Sequence, residues 1–156
     1  MAYCPAESMA GITPIGQVDP VARHPPFSLR RFADGVLGEG DFVYAPGAAG
    51  NFVGAAVSYD AALGTVSLVT TGTAQYLPIA ASMVANTSPG SWSWYQATGL
   101  AALSSSGSLS VGDPVFTTAT PGTLSNETSG GEQLGNMHWG AATGVSGLTY
   151  AAINPR

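Results

Sequence analysis

One stretch of this chain is written twice. Val53 to Gln75, moved along by 58 residues, falls on Val111 to Gln133 without a gap. Ten of the 23 paired positions are then identical: Val53/Val111, Gly54/Gly112, Val57/Val115, Ala61/Ala119, Gly64/Gly122, Thr65/Thr123, Ser67/Ser125, Thr70/Thr128, Gly72/Gly130 and Gln75/Gln133. Each copy has a Gly before a short β-branched or aromatic run, a turn closing on Gly64 or Gly122, and a return strand starting Thr-Val-Ser or Thr-Leu-Ser. That order of residues spells a β-hairpin. The ungapped register and matched turn glycines read as a duplicated hairpin unit.

The rest of the chain agrees with strands. Asp41 to Ala45 puts Phe42 and Tyr44 on one face and Val43 on the other. The first hairpin joins residues 52–59 to 65–71, and the second joins 114–118 to 123–125. Gln75 to Val84 is a strand broken by Pro78, which suits an edge or bulge. Trp92, Trp94 and Gln96 alternate with Ser93, Tyr95 and Ala97, the clearest period of two in the chain. Residues 99–109 are Ser/Gly-rich, and 133–141 and 148–153 close the body. No amphipathic helix of ordinary length is legible. Short strands separated by glycine turns predict an all-β fold, a small β-barrel or sandwich, over residues 38–156.

Residues 1–37 differ. Pro5, Pro14, Pro20, Pro25 and Pro26 punctuate them, and neither helical nor strand periodicity shows. Proline removes backbone donors and holds its neighbours extended. Ile12, Ile15, Val18, Val21, Phe27, Leu29 and Phe32 are anchors that a solvated tail has no use for. The pattern predicts an extended N-terminal arm that docks on a neighbour.

Composition limits the partners. Charged residues are 8% of the chain and lysine is absent, against about 25% in an ordinary globular domain. A surface this poor in charge is ill suited to an isolated soluble domain. Residues 1–31 carry a net +1 and residues 32–156 a net −6. Nucleic acid is not an expected partner, because phosphate binding needs Lys or Arg. The best apolar window, residues 76–85, is half the roughly 20 residues a membrane helix needs, so no membrane span is expected. Cys4 stands alone, which excludes an internal disulfide framework and a cysteine zinc site. With no basic region leading into an apolar run, a signal peptide is not expected either.

Reactive chemistry is scarce. His24 lies in the arm and His138 between Met137 and Trp139, neither beside an acid or nucleophile motif. There is no Gly-x-Ser-x-Gly elbow, no Walker A loop without lysine, and no calcium loop among the scattered acids. No catalytic residue, metal ligand or cofactor is expected; a hydrolase site around His138 and Asp113 is the enzymatic rival. Trp92 and Trp94 on one strand face offer a stacking platform for sugar, or core. Tyr95 faces the opposite way, so part of this cluster is expected to point outward.

Pro26-Phe27-Ser28-Leu29, Gly38-Glu39-Gly40-Asp41-Phe42-Val43-Tyr44, Trp94-Tyr95-Gln96-Ala97-Thr98-Gly99 and the closing Ile153-Asn154-Pro155-Arg156 together resemble a family of small tailed-bacteriophage proteins. The resemblance spans roughly residues 26–156; Met1 to His24 lie outside it, and Ser93 stands where the family has Gly. By similarity the family looks like head decoration, or cement, proteins. It implies a β-barrel on the outer capsid surface of the virion, made in the host cytoplasm, with the major capsid protein and neighbouring copies of itself as partners. On that reading Arg23, Phe27, Arg30 and Arg31 are the arm's contacts to shell or neighbour. Phe42, Tyr44, Tyr59, Trp94 and Trp139 are barrel core or interface. A tail or fibre adhesin binding host surface glycan is the alternative, and it requires exposed tryptophans.

Overall fold

The chain is all β. A computed structural model describes residues 4–5, 12–34, 37–73, 76–128, 130–140 and 147–154, and among these it has no α-helix. Its strands in chain order are β1 (Cys4–Pro5), β2 (Leu29–Asp34), β3 (Gly38–Pro46), β4 (Ala56–Asp60), β5 (Thr65–Leu68), β6 (Ile79–Ser82) and β7 (Trp92–Gln96). They continue with β8 (Gly99–Leu103), β9 (Ser105–Ser106), β10 (Pro114–Thr117), β11 (Leu124–Ser125), β12 (Gln133–Trp139) and β13 (Thr149–Ile153). Two sheets result, in a sandwich-like arrangement. One runs β1-β2-β3-β7-β6-β4-β5 and the other β8-β13-β12-β10-β11-β9. The second rolls until its two edges, β8 and β9, are consecutive pieces of one run with only Ser104 between them.

The duplication proves larger than a hairpin. Ser58 faces Ser67 and Tyr59 faces Val66 across β4–β5. Phe116 faces Ser125 and Thr117 faces Leu124 across β10–β11, the same pairs moved by 58. In both copies the first hairpin strand then pairs antiparallel with a third strand, the third with a fourth, and the fourth with the strand that opened the unit. The order β3-β7-β6-β4-β5 is therefore repeated as β8-β13-β12-β10-β11. Gly54/Gly112, Gly64/Gly122 and Gly72/Gly130 are all left-handed. Residues 38–96 and 99–153 are two copies of one five-stranded unit.

Alanine is what lets these sheets approach. Ala45, Ala56, Ala80, Ala81, Ala101 and Ala151 are wholly buried on strands, so the small-residue composition is spent in the interior rather than at the surface. One core joins the units, with Ala56, Val69, Ile79 and Ala81 of the first packed among Leu103, Val115, Leu124, Leu134, Met137, Trp139 and Ile153 of the second. Each large side chain there contributes about 1.5–3 kcal/mol by leaving water.

Three expectations need correcting. The arm does not stand off as far as residue 37. Leu29–Asp34 pairs with β3 along its whole length, from Leu29↔Val43 to Asp34↔Gly38, so the described residues from 12 onward lie on their own body. Arg30, Phe32 and Asp34 alternate with Arg31 and Ala33, a strand pattern hidden by adjacent charges. Residues 99–103, read only as Ser/Gly-rich, are strand β8, buried on both faces at Ala101 and Ala102 and so lacking alternation. The Tyr95 side of β7 does not face solvent. Val43, Ala45, Val57, Ala80 and Tyr95 form a second apolar layer on that face, flanked by Phe27, Tyr59, Val66 and Leu68.

Candidate functional site

A buried, multiply bonded carboxylate stands out among the described residues, and the sequence left it unremarked. Asp19 is fully buried. Its Oδ2 accepts from the Tyr44 hydroxyl at 2.6 Å and from Thr13 Oγ1 at 2.8 Å, and its Oδ1 accepts from Gln17 Nε2 at 3.0 Å. Arg23 Nε lies 3.4 Å from Oδ1. Its backbone forms a two-way bridge with Trp92, N to O at 2.8 Å in each direction. Strands β3 and β7 place this node, since Tyr44 and Trp94 project from one face of their sheet. A buried anion is tolerable only when its lone pairs are filled, as these are.

Around the node lies an aromatic cluster. Ile15, Phe32, Phe42, Tyr44 and Trp94 form one buried group, with Ile12, Leu37, Met83 and Trp92 against it. Trp94 Nε1 donates to Thr13 O at 2.9 Å. His24 sits 4.9 Å from the Tyr44 ring and 5.2 Å from the Trp94 ring. Its Nε2 accepts from Thr13 N–H at 3.0 Å, so that nitrogen carries no proton. Burial pushes the His24 pKa below 6.5, Arg30 and Arg23 push the same way, and Asp19 opposes them. The Tyr44 hydroxyl is held to about 12, first by burial and further by its bond to the Asp19 carboxylate. Thr13, Asp19 and His24 thus resemble a nucleophile, acid and base in spacing alone. The Thr13 hydroxyl is buried and points at the carboxylate, which makes the node a clasp for residues 12–24.

The residues singled out from sequence fall into two groups. Phe42, Tyr44 and Trp94 surround the clasp, while Trp139 is buried in the core that joins the units. Tyr59 is half-buried and stacks on Phe27 with ring centroids 6.3 Å apart. Phe27 takes a left-handed φ of 57° at the third position of a turn closed by Ser28 N–H to Pro25 O at 3.1 Å. Arg23 leans on Asp19, Arg31 Nε bonds Asp41 Oδ1 at 2.9 Å with Glu39 nearby, and exposed Arg30 donates to Leu29 O at 3.4 Å. The Arg31–Asp41 pair is exposed and screened by water, so it adds little to stability.

The strand register places His138 opposite Pro114, the residue after Asp113. His138 is exposed, and the Asp113 carboxylate accepts from Ser110 N–H at 2.9 Å and Asn126 Nδ2 at 2.7 Å. No group of three or more His, Cys, Asp or Glu is placed to hold a metal ion among the described residues. Trp94 is buried and half-buried Trp92 stacks on Tyr44 at 5.8 Å, so this pair does not form the flat exposed face that the adhesin alternative requires. Modest clefts open at the surface among the described residues, the roomiest of these, about 350 Å³, beside Ser58, Ser67 and Thr70. Two others bear on the repeat. One, of about 270 Å³, lies between the units and is lined by Asp41, Tyr59, Pro78, Thr98, Asn136 and Asn154 among others. The other, of about 260 Å³, separates residues 46–49 from 64–67. No protein-family model matches the chain, and no curated protein matches it.

Proposed function

We propose that this protein is a decoration protein of a tailed-bacteriophage head, a cement that binds the outer face of the major capsid shell and braces the seams between its subunits. The carrying observation is a folded surface almost without charge. The chain has no lysine and 13 charged residues in 156, and Val21, Leu29, Val53, Leu63, Tyr76 and Val111 are at least half exposed. Charge keeps a free domain soluble and apart from its neighbours, and a surface made to be covered does not need it. The resemblance of residues 26–156 to phage head proteins points the same way. Work of this kind is mechanical. Each copy buries apolar and backbone surface across a seam, and repetition over the shell multiplies contacts that are weak one at a time.

The test is a purified virion. Mass spectrometry is expected to find this chain at a copy number comparable with the major shell protein, and particles stripped of it are expected to lose heat resistance and regain it on add-back. A handful of copies confined to the tail, or no association with particles, would overturn the proposal.

A further inference from the structure

Each five-stranded unit ends in an edge strand, and among the described residues only the second unit's edge is covered. In the second unit Leu124 N–H donates to Ser104 O at 3.0 Å, and β9 lies parallel to β11 with Ser105 opposite Leu124 and Ser106 opposite Ser125. Moved back by 58 residues, these positions are Pro46, Gly47 and Ala48 against Val66 and Ser67. There the pairing is missing, because its groups are used elsewhere. Pro46 O accepts the Tyr95 hydroxyl at 2.9 Å, Gly47 N–H goes to Ser91 O at 2.9 Å, and Ala48 N–H goes to Asn86 O at 3.0 Å. What remains between the two stretches is the 260 Å³ cleft, which Pro89 also lines.

The direction of the β5 backbone follows from its neighbour. Tyr59 N–H donates to Pro78 O at 3.2 Å, on the side away from β5, and Tyr59 is the residue facing Val66. Tyr59 and Val66 are therefore a pair that exchanges no ladder bonds, and Val66 turns its own N–H and C=O into the cleft. Thr117 does the same in the second unit, donating to Glu132 O at 2.9 Å and leaving Leu124 N–H for Ser104. Strand β5 has none of the usual guards of an edge: no charge, no proline and no bulge.

We propose that this cleft binds a short extended peptide segment of a partner protein, lying along β5 as β9 lies along β11. The second unit gives the chemistry of the occupant. It offers a main-chain carbonyl to Val66 N–H, a main-chain N–H to Val66 C=O, and Ser-sized side chains at two consecutive positions. The cleft wall is Gly47, Ala48 and Ala49, small residues that let a second backbone lie close. The occupant is a segment of another protein: the internal counterpart, Ser105–Ser106, is already paired with β11 and is not free to be lent to a second copy. The inference stands independently of the capsid proposal.

The probe is a synthetic peptide copying residues 103–108, Leu-Ser-Ser-Ser-Gly-Ser, titrated into the isotope-labelled full chain and followed by amide chemical shifts. Saturable shifts centred on Val66 and Ser67 are expected. Val66→Pro deletes a cleft donor without deleting a ladder bond, and is expected to weaken binding about tenfold, the worth of one hydrogen bond. Ala49→Trp blocks the cleft from an exposed position outside the ladder, so it serves if the proline variant misfolds. Shifts absent at millimolar peptide, or binding unchanged in both variants, would overturn the proposal. So would a concentration-dependent dimer of the wild type that either variant dissolves, since the occupant would then be a second copy.

Discussion

Gly64 and Gly122 occupy the same place in the two copies of the unit but sit in different surroundings. Both are left-handed, at φ 69° and 77°, where any residue with a Cβ is strained. A Cβ on Gly64 would meet nothing within 4 Å, whereas on Gly122 it would lie 3.1 Å from both Ala55 and Phe52. Gly64→Ala is therefore expected to cost only the conformational penalty, about 1–2 kcal/mol. Gly122→Ala adds displacement of Phe52 at the junction between units and is expected to cost roughly twice that, on the scale of an overpacked core. Urea midpoints of the two variants decide it; equal losses would mean that Phe52 gives way freely. The glycine spacing that revealed the duplication was thus legible as backbone geometry. The tertiary weight on Gly122 was not, because Phe52 and Ala55 reach it from the other copy.

Among the elements, legibility followed contrast between neighbouring residues rather than burial. Strand β7 is buried on both faces but announced itself through Trp92, Trp94 and Tyr95, while β8, with small Ala101 and Ala102 buried on opposite faces, read only as part of a Ser/Gly-rich stretch. Asp19 was invisible for a related reason. A lone acid beside Pro20 reads as turn chemistry, and only the fold brings Tyr44, 25 residues away, to its carboxylate. Asp19→Ala strands the Tyr44 and Thr13 hydroxyls, and is expected to cost about 3 kcal/mol and about 10 °C in Tm. It is also expected to open residues 12–24 to protease before the body unfolds. The same clasp responds to acid. His24 prefers to be neutral in the folded chain, its pKa lying below 6.5, while the unfolded chain takes up a proton at about 6.5. The unfolded state then binds more protons, so this contribution is fully present above pH 6.5 and is lost as pH falls through the folded value. The other charges facing the ring, Asp19, Arg23 and Arg30, belong to the same segment or to β2. Thermal melts from pH 7.5 to 5 are expected to show the wild type losing more Tm than His24→Gln, which keeps an acceptor and does not titrate.

Across the whole molecule, the question is whether two copies of a unit behave as one body or two. Backbone bonds cross between them: Ala56 N–H to Gly122 O at 2.9 Å, Gly122 N–H to Val69 O at 2.8 Å, Ser104 N–H to Gly54 O at 2.7 Å and Thr71 N–H to Thr118 O at 2.9 Å. The core of the second unit also takes Ala56, Val69, Ile79 and Ala81 from the first. Neither unit keeps its interior dry alone, so unfolding either one exposes buried backbone groups and apolar surface of the other. One cooperative transition follows for the described body, despite the repeat. The tryptophans give each unit its own reporter, Trp94 in the first and Trp139 in the second. In variants that retain one tryptophan, the urea midpoint by fluorescence is expected to coincide with the midpoint by circular dichroism, whichever tryptophan is kept. Separate midpoints for the Trp94 and Trp139 reporters would mean that the bonds through Gly122 and Gly54 join two independent domains. A brace built that way would yield one half at a time under load, whereas a single cooperative body transmits strain across both units at once.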